Sequence, residues 1–250
     1  MARVVEREAL TPLEWNAEII QVNYETPSVK TFRFSRPKAP FGFRPGQYMA
    51  VKLNDLTDPR GDSRTFSISS SPTDEDYVSI TTRLGPSPFK QRLFQIAPGE
   101  EANLWGPFGS FVLEGGRPAI LLGGGIGVTP FRSMIRFASA MKLKTPILLL
   151  YSSRVAEEIV YRSEFETLAR QWQNFRPILC VSRPAESKVQ WSGRTGHVDA
   201  DLIRETTDNL RGPIYYACGP PTMVQELHGQ LTQKLGVAEE KLRTEHFTGY

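Results

Sequence analysis

Over roughly the first 115 residues, apolar and polar positions alternate in short runs rich in β-branched and aromatic side chains. The runs are Trp15–Val22, Val29–Phe34, Gln47–Leu53, Arg64–Ser69, Tyr77–Arg83 and Glu101–Trp105. Turn signals such as Arg44-Pro45-Gly46 and Ala97-Pro98-Gly99 separate them. A period of two with Pro/Gly punctuation predicts an antiparallel β-barrel. After Gly115-Gly116 the period changes. Apolar strands Ala119–Leu122, Pro146–Tyr151, Pro177–Val181 and Pro213–Ala217 alternate with helix-like segments Phe131–Met141, Ala156–Trp172 and Thr222–Leu235. Strands alternating with helices predict a parallel sheet covered on both faces. The expected organisation is a barrel domain over residues 1–115 and an α/β nucleotide-binding domain over residues 116–250. In Ala156–Trp172 the apolar positions Ile159, Phe165, Leu168, Ala169 and Trp172 share one helical face. The i,i+4 pairs Glu158/Arg162 and Glu166/Arg170 are expected on its solvated side.

At Pro118–Ser133, PAILLGGGIGVTPFRS, a buried apolar run breaks into Gly123, Gly124, Gly125 and Gly127 and then enters a helix through Thr129-Pro130. Glycines let a ligand touch the backbone, and the free N–H groups of a helix's first turn favour an anion. The dinucleotide fingerprint G-x-G-x-x-G is not met, because Val128 stands where its last glycine belongs. Taken alone, the turn is equally a phosphate cradle or a tight strand-to-helix connection. In the barrel, Ser63-Arg64-Thr65-Phe66-Ser67 puts Arg64 and Phe66 on one strand face. There a guanidinium fork can hold a pyrophosphate while the ring covers a planar heterocycle. The alternative is an exposed arginine beside a core phenylalanine. Ser87-Pro88-Phe89-Lys90 starts a short helix, a second possible anion site or simply a good N-cap.

The chain of 250 residues has 40% hydrophobic and 23% charged residues, a globular balance. Its apolar runs, such as Ile147–Tyr151, fall far short of the ~20 residues of a membrane span. The first residues carry no signal-peptide core, so a cytoplasmic location is expected. Two cysteines, Cys180 and Cys218, are too few for a four-cysteine cluster, so any metal cluster is expected on another protein. A net charge of +3 without a polybasic run argues against nucleic acid.

The order of these pieces resembles the ferredoxin-NADP reductase superfamily over essentially the whole chain. The resemblance rests on Arg44-Pro45-Gly46-Gln47-Tyr48, the tetrad Arg64–Ser67, Gly123–Pro130, Cys218-Gly219-Pro220-Pro221, and Glu245-His246-Phe247. It implies an FAD-holding barrel and an NAD(P)H-holding second domain without an iron–sulfur domain. Arg64 is then expected on the FAD pyrophosphate, with Thr65 beside it, Phe66 against the isoalloxazine where many relatives have tyrosine, and Ser67 near flavin N5. Thr81, Arg83, Ser87 and Lys90 correspond to a second FAD segment. Gly124, Gly125, Gly127, Thr129 and Pro130 belong to the nucleotide cradle, joined by Gly219, Pro220 and Met223. Cys218 is expected to face the nicotinamide, rather than to be an inert buried residue as Cys180 is. Glu245 joins the active-site network and Phe247 covers the flavin, although the chain runs on through Thr248 and Gly249 to Tyr250, a rival ring.

Arg154, Ser182, Arg183 and Arg194 stand where members of the family hold a 2′-phosphate, which favours NADP over NAD. The implied activity is hydride transfer from NADPH to FAD, then single-electron delivery to a separate ferredoxin, flavodoxin or oxygenase component. The alternatives are an NADH-dependent reductase component of an oxygenase system and a flavin relay subunit that never oxidises a nicotinamide nucleotide.

Overall fold

The computed structural model describes residues 11–54 and 56–247. Six strands form the first sheet: β1 (Leu13–Thr26), β2 (Val29–Ser35), β3 (Tyr48–Lys52), β4 (Ser63–Ser67), β5 (Tyr77–Arg83) and β6 (Glu101–Phe108). Their order is β4-β3-β6-β1-β2-β5 with antiparallel pairing, and an Ile68↔Ile80 bridge joins the end of β4 to β5. That bridge closes the sheet into the expected barrel. Alternate residues point inward, so Phe32, Phe34, Met49, Ile80 and Leu104 fill the interior with no exposed surface. Helix α1 (Pro88–Gln95) plugs one end with Phe89 and Leu93, and Ser87 caps it by accepting from Lys90 N.

The second sheet contains β7 (Ala119–Gly124), β8 (Ile147–Ser153), β9 (Phe175–Val181), β10 (Arg194–Thr195), β11 (Ile214–Gly219) and β12 (Leu242–His246). All pairs are parallel, in the order β10-β9-β8-β7-β11-β12. Helices α2 (Thr129–Ala140) and α3 (Arg162–Gln171) pack on one face, and α4 (Ala200–Thr207) and α5 (Pro221–Gly229) on the other. From β7 the chain winds outward through β8 to β10, then returns to place β11 on β7's other side. The order therefore reverses between β7 and β11, the switch point at which open α/β sheets bind ligands. Among the described residues no helix is long and apolar enough to cross a membrane.

The helical segment expected over Ala156–Trp172 is broken. A 3-10 turn, Ala156–Glu158, precedes α3, and Tyr161 between them is left-handed at φ +61°. Burial overrides the helical period here: Tyr161 is drawn under Arg132, whose guanidinium lies 4.6 Å from its ring centre. The expected ion pairs also change. Glu158 turns toward the barrel, Arg162 pairs with Glu166 at 2.8 Å, and Arg170 bonds Thr167 instead of Glu166. The segment Thr222–Leu235 divides into α5 and a π-helical turn, Gln230–Lys234. Strands β10 and β12 and helix α4 were not anticipated. The first is two residues long and β12 reads Leu-Arg-Thr-Glu-His, too polar to signal, whereas Asp199, which caps α4, was a readable start.

A polar seam holds the two sheets together. Arg132, on α2, donates to Glu164 at 2.9 Å and to the Ser69 carbonyl of the barrel at 3.0 Å. Ser133 Oγ donates to the Ser70 carbonyl at 2.6 Å, and Arg136 reaches Asp74 at 2.7 Å. Arg132 is only 5% exposed. Removing one partner of a buried pair leaves the other charge uncompensated, so Arg132→Ala is expected to cost about 3–5 kcal/mol. Denaturant unfolding followed by far-ultraviolet circular dichroism checks this; a loss below about 1 kcal/mol contradicts the role given to the seam.

Candidate functional site

A cleft of about 420 Å³ lies where barrel and parallel sheet meet, within the range of small-molecule sites. Arg64, Thr65, Phe66 and Ser67 of β4, Thr81 and Arg83 of β5, and Ser87 and Lys90 at the start of α1 line its barrel side. Ile126, Thr129, Glu245 and Phe247 line the other.

Four cationic side chains, Arg60, Arg64, Arg83 and Lys90, line the barrel wall. Arg64 is held by Asp58 at 2.8 Å and by the carbonyls of Arg60, Gly61 and Ser63, which fix the fork in place. Asp58 itself accepts from the amides of Arg60 and Phe89, and these bonds with the Arg64 charge keep its carboxyl below the usual range. Arg83 donates to Glu158 at 2.7 Å and Ser28 at 2.6 Å. Lys90 has no carboxylate partner among the described residues. Its Nζ donates to Thr82 Oγ1 and to the Arg83 carbonyl and lies 5.3 Å from the Phe66 ring centre. Burial, reinforced by Arg64 and Arg83, pushes its pKa down to about 8. Four cations served by two carboxylates favour an anionic ligand. Phe66 is stacked 6.1 Å from Phe89 and still lines the cleft, so it is both part of the barrel's packing and a wall of the site.

On the opposite wall the chain turns through a 3-10 segment, Gly125–Val128, into α2. A Cβ on Gly127 would stand 2.3 Å from the Cys218 carbonyl oxygen, so only glycine permits β7 and β11 to meet this closely above the switch point. Tyr151 Oη donates to the Gly125 carbonyl at 2.9 Å and accepts from Val160 N, which ties the turn to β8. Pro130 is buried in the first turn of α2, and Pro220 precedes α5. The Met223 thioether rests against Gly124 and Gly219, where a Cβ would meet it at 2.1 and 2.5 Å.

Cys218, at the end of β11, is fully buried and in register with Glu245 on β12. Burial, then the Glu245 charge, raises the thiol's pKa, so it is protonated at neutral pH. Burial also raises Glu245 to about 7. Phe247 is placed by its amide, which donates to the Gly219 carbonyl at 2.9 Å, and it lines the cleft. Tyr250, the rival ring, lies outside the described residues.

Ser67 Oγ and Glu245 Oε2 are buried without a hydrogen-bond partner among the described residues, one on each wall. Orphaned buried polar atoms are costly unless a ligand serves them. Together with the cations and the glycine turn, they fit a phosphorylated ligand that ends in a polar planar ring.

Arg154, Ser182, Arg183 and Arg194 lie away from this cleft, at the carboxyl edge of the parallel sheet. Backbone bonds from Ser182 to Ser153 and from Arg183 to Arg154 set Arg154 and Arg183 side by side. Arg183 pairs with Glu186 at 3.2 Å, and Arg194 is gripped by both oxygens of Glu205 at 2.7 and 3.0 Å. The carboxylates Asp58 and Glu158 and the hydroxyl of Tyr151 escaped sequence reading. Asp58-Pro59-Arg60-Gly61 was legible as a turn, but its grip on Arg64 was not.

Residues 121–228 match the model of the oxidoreductase NAD-binding domain family. A ferredoxin–NADP reductase B of Sorangium cellulosum (strain So ce56) is 30% identical over 243 residues, covering 93% of this chain and 97% of that protein. The reductase component of propane 2-monooxygenase of Mycolicibacterium goodii is 29% identical; the match covers 86% of this chain but 62% of that protein. Among solved structures, a ferredoxin NADP+ reductase from Neisseria gonorrhoeae superposes with a TM-score of 0.77 at 20% identity, covering 93% of this chain and 98% of that one.

Lys90 is expected to make the cleft's affinity for an anion pH-dependent. An anion beside it raises its pKa from about 8, so binding takes up a proton above that value. FAD affinity is therefore expected to fall as pH rises beyond 8, approaching about tenfold per unit, over and above any change that Glu245 makes near pH 7. Lys90→Met is expected to bind more weakly and without that fall. Fluorescence titration from pH 6.5 to 9.5 tests it, and an unchanged slope in the variant removes Lys90 from the anion site.

Proposed function

The chain belongs to the ferredoxin–NADP reductase family, and on that premise we propose that it is an FAD-dependent reductase. It takes hydride from NADPH and passes the electrons singly to a separate carrier such as a ferredoxin or flavodoxin. One observation carries the reading: a single cleft joins a cation cluster on the barrel to Glu245 and Phe247 at the end of the parallel sheet, with the buried Cys218 in register behind Glu245. FAD bound there supplies the conversion of a two-electron hydride into two single electrons. Arg64, Arg83 and Lys90 hold its phosphates, Phe66 and Phe247 shield its ring system, and Ser67 Oγ supplies a hydrogen bond to the polar ring edge. Cys218, a neutral thiol, fills the wall against which the nicotinamide is pressed. Glu245, raised to about 7 by burial, holds or releases a proton near neutral pH. The glycine turn and Met223 receive the dinucleotide, and Arg154, Ser182 and Arg183 face its adenosine end. Residues 1–115 and 116–250 act as the two halves. A cytoplasmic location goes with this reading.

A second reading, an NADH-dependent reductase component of an oxygenase system, draws on two observations. Reductase components of oxygenases are among the relatives, and Arg183 and Arg194 are already engaged by Glu186 and Glu205. The pyridine nucleotide separates the readings. A charged hydrogen bond contributes about 1.5–3 kcal/mol, so Arg154→Ala/Arg183→Ala is expected to raise KM for NADPH by about tenfold to a hundredfold or more and leave NADH unchanged. Equal effects on both nucleotides favour the second reading.

The purified protein is expected to be yellow, or to become so with added FAD, and to bleach on anaerobic mixing with NADPH. Cys218→Ala is expected to keep FAD and slow bleaching by about tenfold or more, because the nicotinamide loses its backing. Stopped-flow absorbance measures both outcomes. A wild-type rate in the variant overturns the role of Cys218, and a protein that binds no FAD overturns the proposal.

A further inference from the structure

The parallel sheet contributes one residue to the barrel's cation cluster that no motif announces. Glu158 ends the 3-10 turn after β8, and its Oε2 accepts from Arg83 Nη1 at 2.7 Å, Ser28 Oγ at 2.7 Å and Thr26 Oγ1 at 3.2 Å. All three donors belong to the barrel: Thr26 ends β1, Ser28 lies in the β1–β2 turn and Arg83 ends β5. Ser28 Oγ also accepts from Arg83 at 2.6 Å, so carboxylate, hydroxyl and guanidinium close a three-membered ring of hydrogen bonds. Glu158 is 17% exposed at its side chain, and Arg83 32%. Arg83 uses only Nη1 in this ring. Its Nε and Nη2 have no hydrogen-bond partner among the described residues, and the side chain lines the cleft.

The geometry points to Glu158 as a positioning residue that aims Arg83 at the bound cofactor's phosphates from across the domain boundary. The inference rests on the reading that the cleft holds FAD. An arginine free to rotate spends most of its rotamers elsewhere, and ordering it costs conformational entropy. Holding Nη1 removes that cost while leaving the remaining donors for the ligand. The carboxylate also keeps Arg83 from adding its full charge to Arg64 and Lys90, so the three cations can coexist before any ligand arrives. Because Glu158 sits on the parallel sheet, cofactor retention by the barrel becomes dependent on the docking of the other half. The broken helix gains a physical reason as well: a continuous helix from Ala156 would keep Glu158 near Arg162, whereas the turn releases it toward Arg83.

The test is a double-mutant cycle on the full-length apoprotein with FAD as the probe, read by fluorescence quenching and accompanied by thermal midpoints. Glu158→Ala is expected to weaken FAD binding by about tenfold in the wild-type background. In the Arg83→Ala background the same change is expected to alter binding by less than about twofold, since there is no guanidinium left to aim. Equal loss in both backgrounds means that Glu158 acts on the fold in general and overturns the inference. Unchanged or tighter binding in Glu158→Ala overturns it too, because the carboxylate then only competes with the ligand for Arg83. Should Glu158→Ala fail to fold, Glu158→Gln, which keeps an acceptor oxygen, runs the same cycle with an expected loss of about threefold. Failure of the wild-type protein to bind FAD is a separate result, and it bears on the proposed function instead.

Discussion

The cleft depends on two sheets being fixed against each other by directional hydrogen bonds set beside a small shared apolar contact, in which Val29 and Phe111 of the first half pack with Phe131 and Tyr216 of the second. The barrel's Phe32, Phe34, Met49 and Ile80 form one cluster, and the two faces of the parallel sheet form two others, one of which takes in Val29 and Phe111 from the first half. Between them run Arg132 to the Ser69 carbonyl, Ser133 to the Ser70 carbonyl and Arg136 to Asp74. Hydrogen bonds are directional, and an arginine buried this deeply has few alternatives, so the seam sets a distance and an angle as well as an attraction. The cleft is the gap left beside that seam.

Within the cleft the two walls are matched in opposite senses. The barrel wall carries more cation than carboxylate, which leaves Lys90 with a lowered pKa. The other wall carries a glycine turn at a helix start, a neutral thiol and a carboxyl group titrating near 7. An anionic tail at one end and a polar ring between the walls satisfy both. Glu158 and Ser28 tie the two halves together, since the aim of one barrel cation depends on a residue from the far half.

The regular elements were largely legible, because alternation in the barrel and the strand–helix rhythm after Gly116 are local properties of the chain. Every barrel strand was anticipated to within a few residues. Errors arose where a tertiary contact outweighs local preference. Tyr161 breaks a helix because its ring is drawn under Arg132, and β12 forms from a polar sequence because β11 offers it an edge beside Cys218.

The amino-acid sequence by itself determined the two architectures, the glycine turn, the Arg-x-Phe-Ser strand and the terminal Glu-x-Phe, since each depends on residue types at fixed short spacing. Only the tertiary structure decided which charges meet. Asp58 with Arg64, Glu158 with Arg83 and Glu245 beside Cys218 join positions 6, 75 and 27 residues apart in the chain. Nothing in local propensity selects such partners, because a side chain's electrostatic environment is set by how the folded backbone excludes water around it, not by its neighbours in order.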